Sequence, residues 1–412
     1  MTADATVDQT EAAPATEATD VAEFDFEYRD GGAPAGDHFR RFDELRERFA
    51  FFKSTADQGW WTVTRADLIR EAFQRADIFS SAAVVVSDPD PAYLWIPEML
   101  DGTAHKNWRQ LLAPYFSPGA IAKMEGRVRS RCVELIDAFV DTGACDFLND
   151  FARKYPTTIF MEIMGLPVTE AEQFMEWEDM ILHGPPPGMP AEEAGARRMN
   201  GMLAVMGYFA EMVAARREQP TDDLVSFVIA AEIDGAPIPD NDILAFCLLM
   251  FMAGLDTVAM QLCWSFLHLA THPNDRERLV ADPGLIPTAT EEFLRAFAFV
   301  IPSRKLTTDV DFHGCPMKAG DMVLLPLCSA TRDPRAFPEP AEVIIDRSPN
   351  PHIAFGAGPH RCLGSSLARQ ELHIAFEEWH RRIPNYRIAD GAEILEHGGQ
   401  LGLDLLPLVW DV

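Results

Sequence analysis

The sequence contains one cysteine in surroundings that suit metal coordination. Cys362 lies in the segment 355–364, FGAGPHRCLG, where Gly356 and Gly358 leave little side-chain bulk. A flat molecule could therefore approach the backbone closely. Cys362 also precedes a predicted helix, whose free N–H groups and dipole stabilise a thiolate. A thiolate in such a turn is suited to bind a metal ion whose other ligands belong to a macrocycle.

Two other interpretations of Cys362 remain open. A lone cysteine is most often a small buried apolar residue, and we adopt this interpretation for the other six. They are Cys132, Cys145, Cys247, Cys263, Cys315 and Cys328. The second alternative is a nucleophilic cysteine with His360 as its base. Against it, His360 is only two residues away in sequence, and no Asn or Asp completes a triad.

A carboxylate and a hydroxyl, Asp256 and Thr257, lie inside the apolar run 243–270. Polar groups in such a helix are costly unless they are satisfied or serve a function. We expect the Thr257 hydroxyl to bond to the carbonyl oxygen of Ala253, which would bend the helix and open a pocket. The simpler alternative is a plain helix kink with a hydrogen-bonded Asp.

A third constellation, Glu292 and Arg295, has i, i+3 spacing on a predicted helix, so the two side chains can pair across one turn. Pairs of this spacing are commonplace on protein surfaces. The neighbouring Phe293, Leu294 and Phe297 are apolar, however. This pattern predicts a buried pair with a structural role.

The pattern of apolar residues predicts a mostly helical chain with small β-hairpins near both ends. Segments 49–53 and 59–64 predict one hairpin, and 365–382 predicts the final helix. Asp240 or Asn241 is expected to cap the long apolar helix. The sequence has no alternating βαβ pattern, no phosphate-binding loop and no internal repeat.

Composition argues against several classes of protein. The 412 residues include 64 acidic and 35 basic ones, for a formal charge of −29, which repels nucleic-acid backbones. Seven scattered cysteines without a CxxC pair argue against a disulfide framework or structural zinc and favour the cytoplasm. Residues 1–21 predict a disordered acidic leader, since the first twenty contain no Lys or Arg and no apolar signal core.

The apolar run 243–270 is long enough to span a bilayer. Its upstream flank is acidic, no basic cluster anchors either end, and Asp256, Thr257 and Gln261 lie in the middle. A helix buried inside a soluble protein is therefore the favoured interpretation, and no membrane is expected as a partner.

Three segments, in their order along the chain, resemble motifs of the cytochrome P450 family: AGLDT at 253–257, Glu292-x-x-Arg295, and FGxGxHxCxG at 355–364. Segments 314–321 and 406–410 make the pattern most similar to the soluble bacterial, camphor-hydroxylase-like members. The resemblance implies a mainly α fold with small β-sheets (α+β), the P450 triangular prism, formed by one catalytic domain at 22–412. It also implies haem b, iron protoporphyrin IX, between the long buried helix and the helix after the cysteine.

The resemblance also assigns roles to individual residues. Cys362 would be the axial thiolate that binds the iron, and Asp256 and Thr257 would deliver protons during catalysis. Buried haem propionates need cations, which gives several of the assignments a physical reason. The implied haem-binding residues are His105, Arg109, Arg304, Phe355, His360, Cys362 and Gly364.

Arg347 would complete a buried Glu-Arg-Arg lock with Glu292 and Arg295. The preceding stretch 343–346 lacks the Phe and Pro common in the family, and Ala253 replaces a Gly of the helix motif. Because of these departures, the sequence does not define the backbone conformation before Arg347.

The same resemblance implies an apolar pocket with one phenol, that of Tyr93. Its other walls would be Val84, Trp95, Leu249, Met252, Val300 and Leu401. Such a pocket predicts a compact hydrophobic substrate with a single oxygen, such as a terpenoid or an aromatic ether, which would be hydroxylated or O-dealkylated. A fatty acid or a steroid remains open.

No flavin or iron–sulfur domain fits beside the fold, so the implied electron donors are a separate ferredoxin and its reductase. Arg70, Lys106, Arg109 and Arg369 match a basic docking face, although scattered surface cations are the simpler interpretation. The implied activity is that of a haem-thiolate monooxygenase using O₂ and two electrons. A peroxide-dependent haem-thiolate oxygenase and a non-catalytic haem-binding protein are the alternatives.

Overall fold

The computed structural model describes residues 21–182 and 189–412. Helices dominate this part of the chain, as predicted. They are α1 (Asp37–Arg48), α2 (Ala66–Gln74), α3 (Gly102–Leu112), α4 (Pro118–Ala122), α5 (Glu125–Asp137), α6 (Lys154–Met164), α7 (Ala171–Ile181), α8 (Ala191–Glu218), α9 (Leu224–Ala230), α10 (Asp240–Gly254), α11 (Asp256–Thr271), α12 (Pro273–Ala281), α13 (Ile286–Ala296), α14 (Leu327–Thr331) and α15 (Ser365–Arg382).

The strands are short and form small sheets. They are β1 (Ala22–Phe24), β2 (Gly31–Pro34), β3 (Phe51–Ser54), β4 (Trp60–Val63), β5 (Phe79–Ser80), β6 (Ala144–Asp146), β7 (Glu232–Ile233), β8 (Ala236–Pro237), β9 (Ser303–Leu306), β10 (Val310–Phe312), β11 (Cys315–Met317), β12 (Met322–Leu324), β13 (Arg387–Ile388), β14 (Leu395–His397), β15 (Gly402–Leu403) and β16 (Pro407–Val409). Two three-stranded sheets have the orders β13-β16-β6 and β15-β14-β2, and β10-β11 and β7-β8 form separate pairs.

Six strands from distant parts of the chain form the largest sheet, in the order β1-β3-β4-β12-β9-β5. Strands β3 and β4 form the predicted antiparallel hairpin, in which Phe52 pairs with Thr62. Strand β12 pairs in parallel with β4, with Val323 opposite Trp61, and antiparallel with β9. Strand β9, which carries Arg304, lies between β12 and β5.

The long apolar helix is part of the core, as predicted. Phe246 and Phe251 on α10 pack in one apolar cluster with Trp108, whereas Phe266 on α11 packs in another with Trp379 of α15. The run Asp240–Thr271 could cross a membrane by length and composition alone, but 67% of its most apolar window is buried inside the protein. The structure therefore uses it as a core helix.

This helix is interrupted near its middle, where α10 ends at Gly254 and α11 begins at Asp256. A Cβ atom at Gly254 would lie 2.8 Å from Cδ2 of Phe160 on α6, so the glycine permits close packing of the two helices. The sequence predicted a bend here, and the structure has one. The bend lies between Ala253 and Thr257, the first and last residues of the AGLDT segment.

One local prediction is wrong and others lie beyond the described residues. Neither Asp240 nor Asn241 caps α10: Pro239 precedes the helix, and Asp240 lies in its first turn, where a carboxylate still favours the helix dipole. The final helix, Ser365–Arg382, has the predicted bounds. The predicted leader, 1–21, lies outside the described residues except for Val21.

Candidate functional site

The turn that carries Cys362 is built by backbone hydrogen bonds and two glycines. The amide of Cys362 donates to the carbonyl oxygen of Phe355 at 2.9 Å. Gly356 and Gly358 both have positive φ, 72° and 71°, which favours glycine. A Cβ at Gly358 would also lie 2.3 Å from the carbonyl oxygen of Phe73, so this glycine lets the turn rest on the end of α2.

Cys362 differs from the other cysteines in its surroundings. All seven are free thiols, and six are buried as predicted, whereas the Cys362 side chain is exposed. Burial nevertheless raises the pKa of its thiol, against the lowering effects of the Gly364 amide and of the Arg109 and Arg361 charges. The helix-start stabilisation predicted for the thiolate is present, but burial outweighs it.

The interrupted helix has a small accessible surface at its break. Ala253 is exposed although Met252 and Leu255 beside it are buried. The Thr257 hydroxyl donates to the carbonyl oxygen of Ala253 at 3.0 Å, the bond expected from the sequence. Asp256 is buried at the first position of α11. A carboxyl group and a hydroxyl group therefore lie next to a distorted, partly open turn of an otherwise buried helix.

The four cationic or imidazole side chains expected to bind haem propionates lie near one another. The rings of His105 and His360 stack with centroids 3.9 Å apart. The buried Arg304 and His360 share one acidic neighbour, Glu98. Arg109 donates to the carbonyl oxygen of Arg361, the residue before Cys362, at 2.6 Å.

A cavity of about 750 Å³ adjoins this group, and its lining includes His105, Arg109 and His360. That volume is within the range of small-molecule sites. Burial, followed by the charges of His360 and Arg109, lowers the pKa of His105 to about 4, so His105 is neutral at pH 7. Burial also acts to lower the pKa of His360, but Asp101 and Glu98 outweigh it and raise that pKa.

Two acidic residues of this cluster, Glu98 and Asp101, were missed from the sequence. The Ser80 hydroxyl donates to Asp101, and the Asp101 carboxylate lies 3.4 Å from Nε2 of His360. Glu98 lies between Arg304 and His360, at ion-pair distances. Both precede α3 in irregular chain, where no periodicity shows which way a side chain points, so only the tertiary structure reveals them.

The predicted buried lock is present. Arg295 donates twice to Glu292, both at 2.8 Å, and both side chains are fully buried. Arg347 donates from Nε to the two oxygens of Glu292 at 3.1 and 3.0 Å. The amide of Ile344 adds a bond of 2.8 Å to Glu292, so the unusual stretch before Arg347 takes part in the lock rather than disrupting it.

Tyr93 and Trp95 lie together in the irregular segment before α3. Their rings are 5.1 Å apart at 31°, and the Tyr93 hydroxyl and the Trp95 Nε1 are both buried without a hydrogen-bond partner. Ile96, the next residue, donates its amide to Ala245 of α10 at 3.4 Å. The segment therefore lies against the helix that carries Leu249.

The other predicted wall residues have different surroundings. Trp95 packs against the apolar cluster that contains Met252, whereas Val84, Leu249 and Val300 are partly buried. Leu401 is fully buried, and its carbonyl oxygen accepts a hydrogen bond from Trp264. The structure therefore places the Leu401 side chain in the core.

The four cations expected on a docking face differ in solvent exposure and in ion pairing. Arg70 and Lys106 are exposed, and Arg109 is partly so. Arg369 instead pairs through two hydrogen bonds with Glu291, at 2.5 and 2.8 Å, so its charge is balanced within the protein. A cation missed from the sequence, the exposed Arg361, lies beside Cys362.

Comparisons with known proteins give the family of this chain. The family model described as Cytochrome P450 matches residues 191–282 and 285–380. A probable cytochrome P450 127A1 of Sinorhizobium fredii is 35% identical over 356 residues, which cover 86% of this chain and 84% of that protein. The chain belongs to the cytochrome P450 family. It is accordingly a monooxygenase of the EC 1.14 class with haem as its cofactor.

Other P450s of similar sequence have named activities. A methyl-branched lipid omega-hydroxylase of Mycobacterium tuberculosis is 32% identical, with 86% of this chain and 85% of that protein covered. A steroid C26-monooxygenase of Mycolicibacterium smegmatis is also 32% identical, with 89% of each covered. These relatives show that similar P450s oxidise largely apolar molecules.

Solved P450 structures have the same fold. The crystal structure of CYP101J2 superimposes with a TM-score of 0.85 at 30% identity, covering 95% of this chain and 97% of that one. The bottromycin biosynthetic protein SalCYP gives 0.82 at 32% identity, covering 97% and 98%. The mainly α fold with small sheets inferred from the sequence is therefore confirmed.

The residues of this P450 fit a haem. The Cys362 thiol is free and exposed, and Arg109, Arg304 and His360 form a group of basic side chains near it. Nδ1 of His360 is a buried polar atom without a hydrogen-bond partner. A thiol for iron and cations for two carboxylates are the donor set that haem-thiolate binding requires.

Proposed function

We propose that this P450 hydroxylates, or O-dealkylates, a hydrophobic substrate that carries an oxygen acceptor. It uses O₂ and electrons from separate proteins, a ferredoxin and its reductase. The observation that carries the substrate class is the pair of buried donors at Tyr93 and Trp95. Buried O–H and N–H groups almost always have partners, so an acceptor on the substrate accounts for both.

The cofactor would be held by residues from three parts of the chain. Cys362 would ligate the iron, while His105, Arg109, Arg304 and His360 would bind the propionates. Phe355 would fix the Cys362 turn through its carbonyl oxygen. Gly364, whose amide acts on the Cys362 thiol, would help to keep the sulfur anionic. When bound, the haem supplies the activation of O₂ that the side chains alone lack.

Asp256 and Thr257 would handle protons beside the cofactor. The Thr257 hydroxyl donates to Ala253 and leaves its lone pairs free to accept a proton donor. Asp256, one residue earlier and buried, would supply that proton. The interruption at Gly254 opens the turn through which the proton reaches interior space.

The substrate would lie between the segment of Tyr93 and Trp95 and the helix α10. Relatives named for a methyl-branched lipid and for a steroid support a branched lipid, steroid or terpenoid skeleton with one oxygen. Val84, Leu249, Met252 and Val300 would supply the apolar walls. Donors at one end and apolar surface elsewhere would orient the molecule and exclude water from the site.

Electron delivery would use the exposed cations near Cys362. Arg70, Lys106, Arg109 and Arg361 would attract an acidic ferredoxin to this side of the molecule, despite the net charge of −29. The apolar run Asp240–Thr271 is mostly buried inside the protein, and the scattered cysteines without a CxxC pair suit a reducing compartment. We therefore propose that the enzyme acts in the cytoplasm, with residues 22–412 as a single catalytic domain.

Ligand binding to the wild type and three variants tests the substrate proposal. Paired ligands that differ only in a ketone oxygen, such as a terpenoid ketone and its hydrocarbon, would be titrated by the shift in haem spin state. We expect Tyr93→Phe and Trp95→Phe each to lower the affinity for the ketone by about 3- to 10-fold, the equivalent of one hydrogen bond. The affinity for the hydrocarbon should not change. Tyr115→Phe, outside this segment, is the matched control. Equal losses for both ligands would remove the two donors from the substrate site.

The reduced carbon monoxide spectrum tests the haem ligand separately. A strongly red-shifted Soret band in the wild type and its loss in Cys362→Ser are expected. A band typical of histidine-ligated haem in the wild type would refute Cys362 as the ligand.

A further inference from the structure

Glu98 has a carboxylate at the centre of the cationic group, held only by charge. Its Oε1 lies 3.7 Å from Nη2 of Arg304, and its Oε2 lies 3.9 Å from Nδ1 of His360. Both distances are too long for hydrogen bonds. Within residues 21–182 and 189–412, no donor forms a hydrogen bond with this carboxylate. The stability of its negative charge therefore depends on Arg304 and His360.

Asp101 is bound differently. It accepts hydrogen bonds from the Ser80 hydroxyl and, at 3.4 Å, from the Ser81 amide, in addition to its contact with His360. These partners do not bind haem. Asp101 can therefore remain ionised when a haem propionate takes the cations, whereas Glu98 has no such support.

Haem would add two carboxylates to a site that already holds Glu98 and Asp101. The basic side chains available to all four are Arg109, Arg304, His360 and the exposed Lys106 of the cavity lining. A propionate that pairs with Arg304 and His360 would take from Glu98 the cations that lie within 4 Å of it among the described residues. The Glu98 side chain is 34% exposed, so a haem bound here would also reduce its contact with water, and a carboxylate without counterion or water is costly.

We propose that Glu98 takes up a proton from solvent when haem binds and donates it in a hydrogen bond to a haem propionate. This inference rests on the proposed propionate site. It makes Glu98 a proton-binding partner of the cofactor rather than a competitor for its cations. The resulting acid–carboxylate pair needs one cation fewer than two carboxylates do.

The direction of the pH dependence follows from the surroundings of Glu98. Burial acts to raise its pKa, but His360 and Arg304, with a smaller effect of His105, outweigh burial and lower it. A propionate that engages Arg304 and His360 removes that support, and burial then raises the pKa. The bound state therefore holds one more proton, and haem affinity falls as pH rises, about tenfold per unit between the two pKa values.

Haem retention by the holoenzyme tests this proposal. Wild type, Glu98→Gln and Asp77→Asn would be equilibrated with an excess of apomyoglobin at about pH 6, 7 and 8. Asp77→Asn is the matched control, because it removes the same charge from the cavity lining but not from the cationic group. We expect wild type and Asp77→Asn to lose affinity by up to tenfold per unit. Glu98→Gln should show little pH dependence and bind haem more tightly than wild type at pH 8.

The opposite result for Glu98→Gln would overturn the proposal. A purely structural ion pair predicts that this variant loses haem more readily at every pH. Retention of the wild-type pH dependence would place the proton elsewhere, on His105, and His105→Gln would then abolish it. Infrared difference spectra, holoenzyme minus apoprotein, add an independent readout: a protonated carboxylic acid band that forms on haem binding should be present in wild type and absent in Glu98→Gln, whereas the band of Glu371 cancels in the difference.

Arg304→Gln separates this inference from the site on which it rests. If Arg304→Gln retains haem as wild type does, the propionate site itself is wrong. If Arg304→Gln loses haem and Glu98→Gln keeps the wild-type pH dependence, only the role of Glu98 is wrong. Circular dichroism of each variant confirms that the fold is retained before the comparison is made.

Discussion

The guanidinium carbon of Arg369 lies 4.6 Å from the centre of the Phe355 ring. Arg369 is on α15 and is fixed in place by two hydrogen bonds to Glu291 of α13. His352 lies 3.0 Å from the same carboxylate. Since the carbonyl oxygen of Phe355 accepts the Cys362 amide, this contact connects the helix of the buried lock to the turn that carries the thiol. The side chain expected on a docking face instead supports the Cys362 turn.

Arg369→Met should therefore disturb the thiol ligand as well as stability. Burial acts to raise the pKa of Glu291, but Arg369 and His352 outweigh it and lower that pKa to about 2. The variant removes Arg369, the stronger of these two partners. We expect the free energy of unfolding to fall by about 2 kcal/mol. We also expect a larger fraction of carbon monoxide complex without thiolate ligation. Arg127→Met, at an exposed position of α5, should change neither measurement.

Thr257→Ala should uncouple electron consumption from product formation. The variant removes the hydroxyl that donates to Ala253 but leaves Asp256 in place. Because a positioned proton donor or acceptor typically contributes at least about 100-fold, product formation should fall by about 100-fold, the low end of that range since Asp256 remains, while reductant is still consumed and hydrogen peroxide is released. Thr271→Ala is the control, since the Thr271 hydroxyl makes the same kind of bond, to Leu267, far from the site. Unchanged coupling in Thr257→Ala would exclude the proton role.

Gly358→Ala and Gly356→Ala form a matched pair in the Cys362 turn. Both glycines have nearly the same positive φ, so each substitution costs about 1–2 kcal/mol of backbone strain. A Cβ at Gly358 would also clash with the carbonyl oxygen of Phe73, whereas nothing lies within 4 Å of a Cβ at Gly356. We expect Gly358→Ala to lose at least about 3 kcal/mol and much of its haem. Equal urea-denaturation curves would show that the turn does not rest on α2.

Glu371 should make stability fall as pH rises. It is buried on α15 with an unpartnered Oε2, and burial raises its pKa to about 8. Between its ordinary value and 8 the folded protein therefore binds more protons than the unfolded chain, so the free energy of unfolding decreases by up to about 1.4 kcal/mol per pH unit. Glu371→Gln should flatten this slope in chemical denaturation. Glu377→Gln, more exposed on the same helix, should not.

Local spacing was enough to predict some of these features. The Thr257 bond to Ala253 and the Glu292–Arg295 pair both span a single helical turn, so one sequence window contains both partners. Glu98 could not be predicted in this way, because its neighbours Arg304 and His360 come from a distant strand and a distant turn. The fold brings them together through tertiary packing that no local pattern encodes.

The contact of Arg369 with Glu291 could not be predicted for a related reason. Its position near the Cys362 motif suggested a surface charge, but its carboxylate partner, Glu291, lies on another helix. The Arg347 lock shows the reverse case. The unusual sequence at 343–346 did not define the backbone conformation before Arg347. The pairing of Arg347 with Glu292 is nevertheless formed, because the amide of Ile344 bonds to the same carboxylate, and a backbone amide does so whatever the side chains are.

The parallel pairing of Trp61 with Val323 has a consequence for the synthesis of this protein. The N-terminal hairpin emerges from the ribosome with one edge unpaired, and strand β12, which covers that edge, is translated only much later. An open strand edge attracts other strands, so the nascent chain is exposed to aggregation during this interval. Arg304, His360 and Cys362 also emerge late. We therefore expect haem capture only after most of the chain has been translated, and we expect chaperones that shield the waiting hairpin to raise the yield of active enzyme.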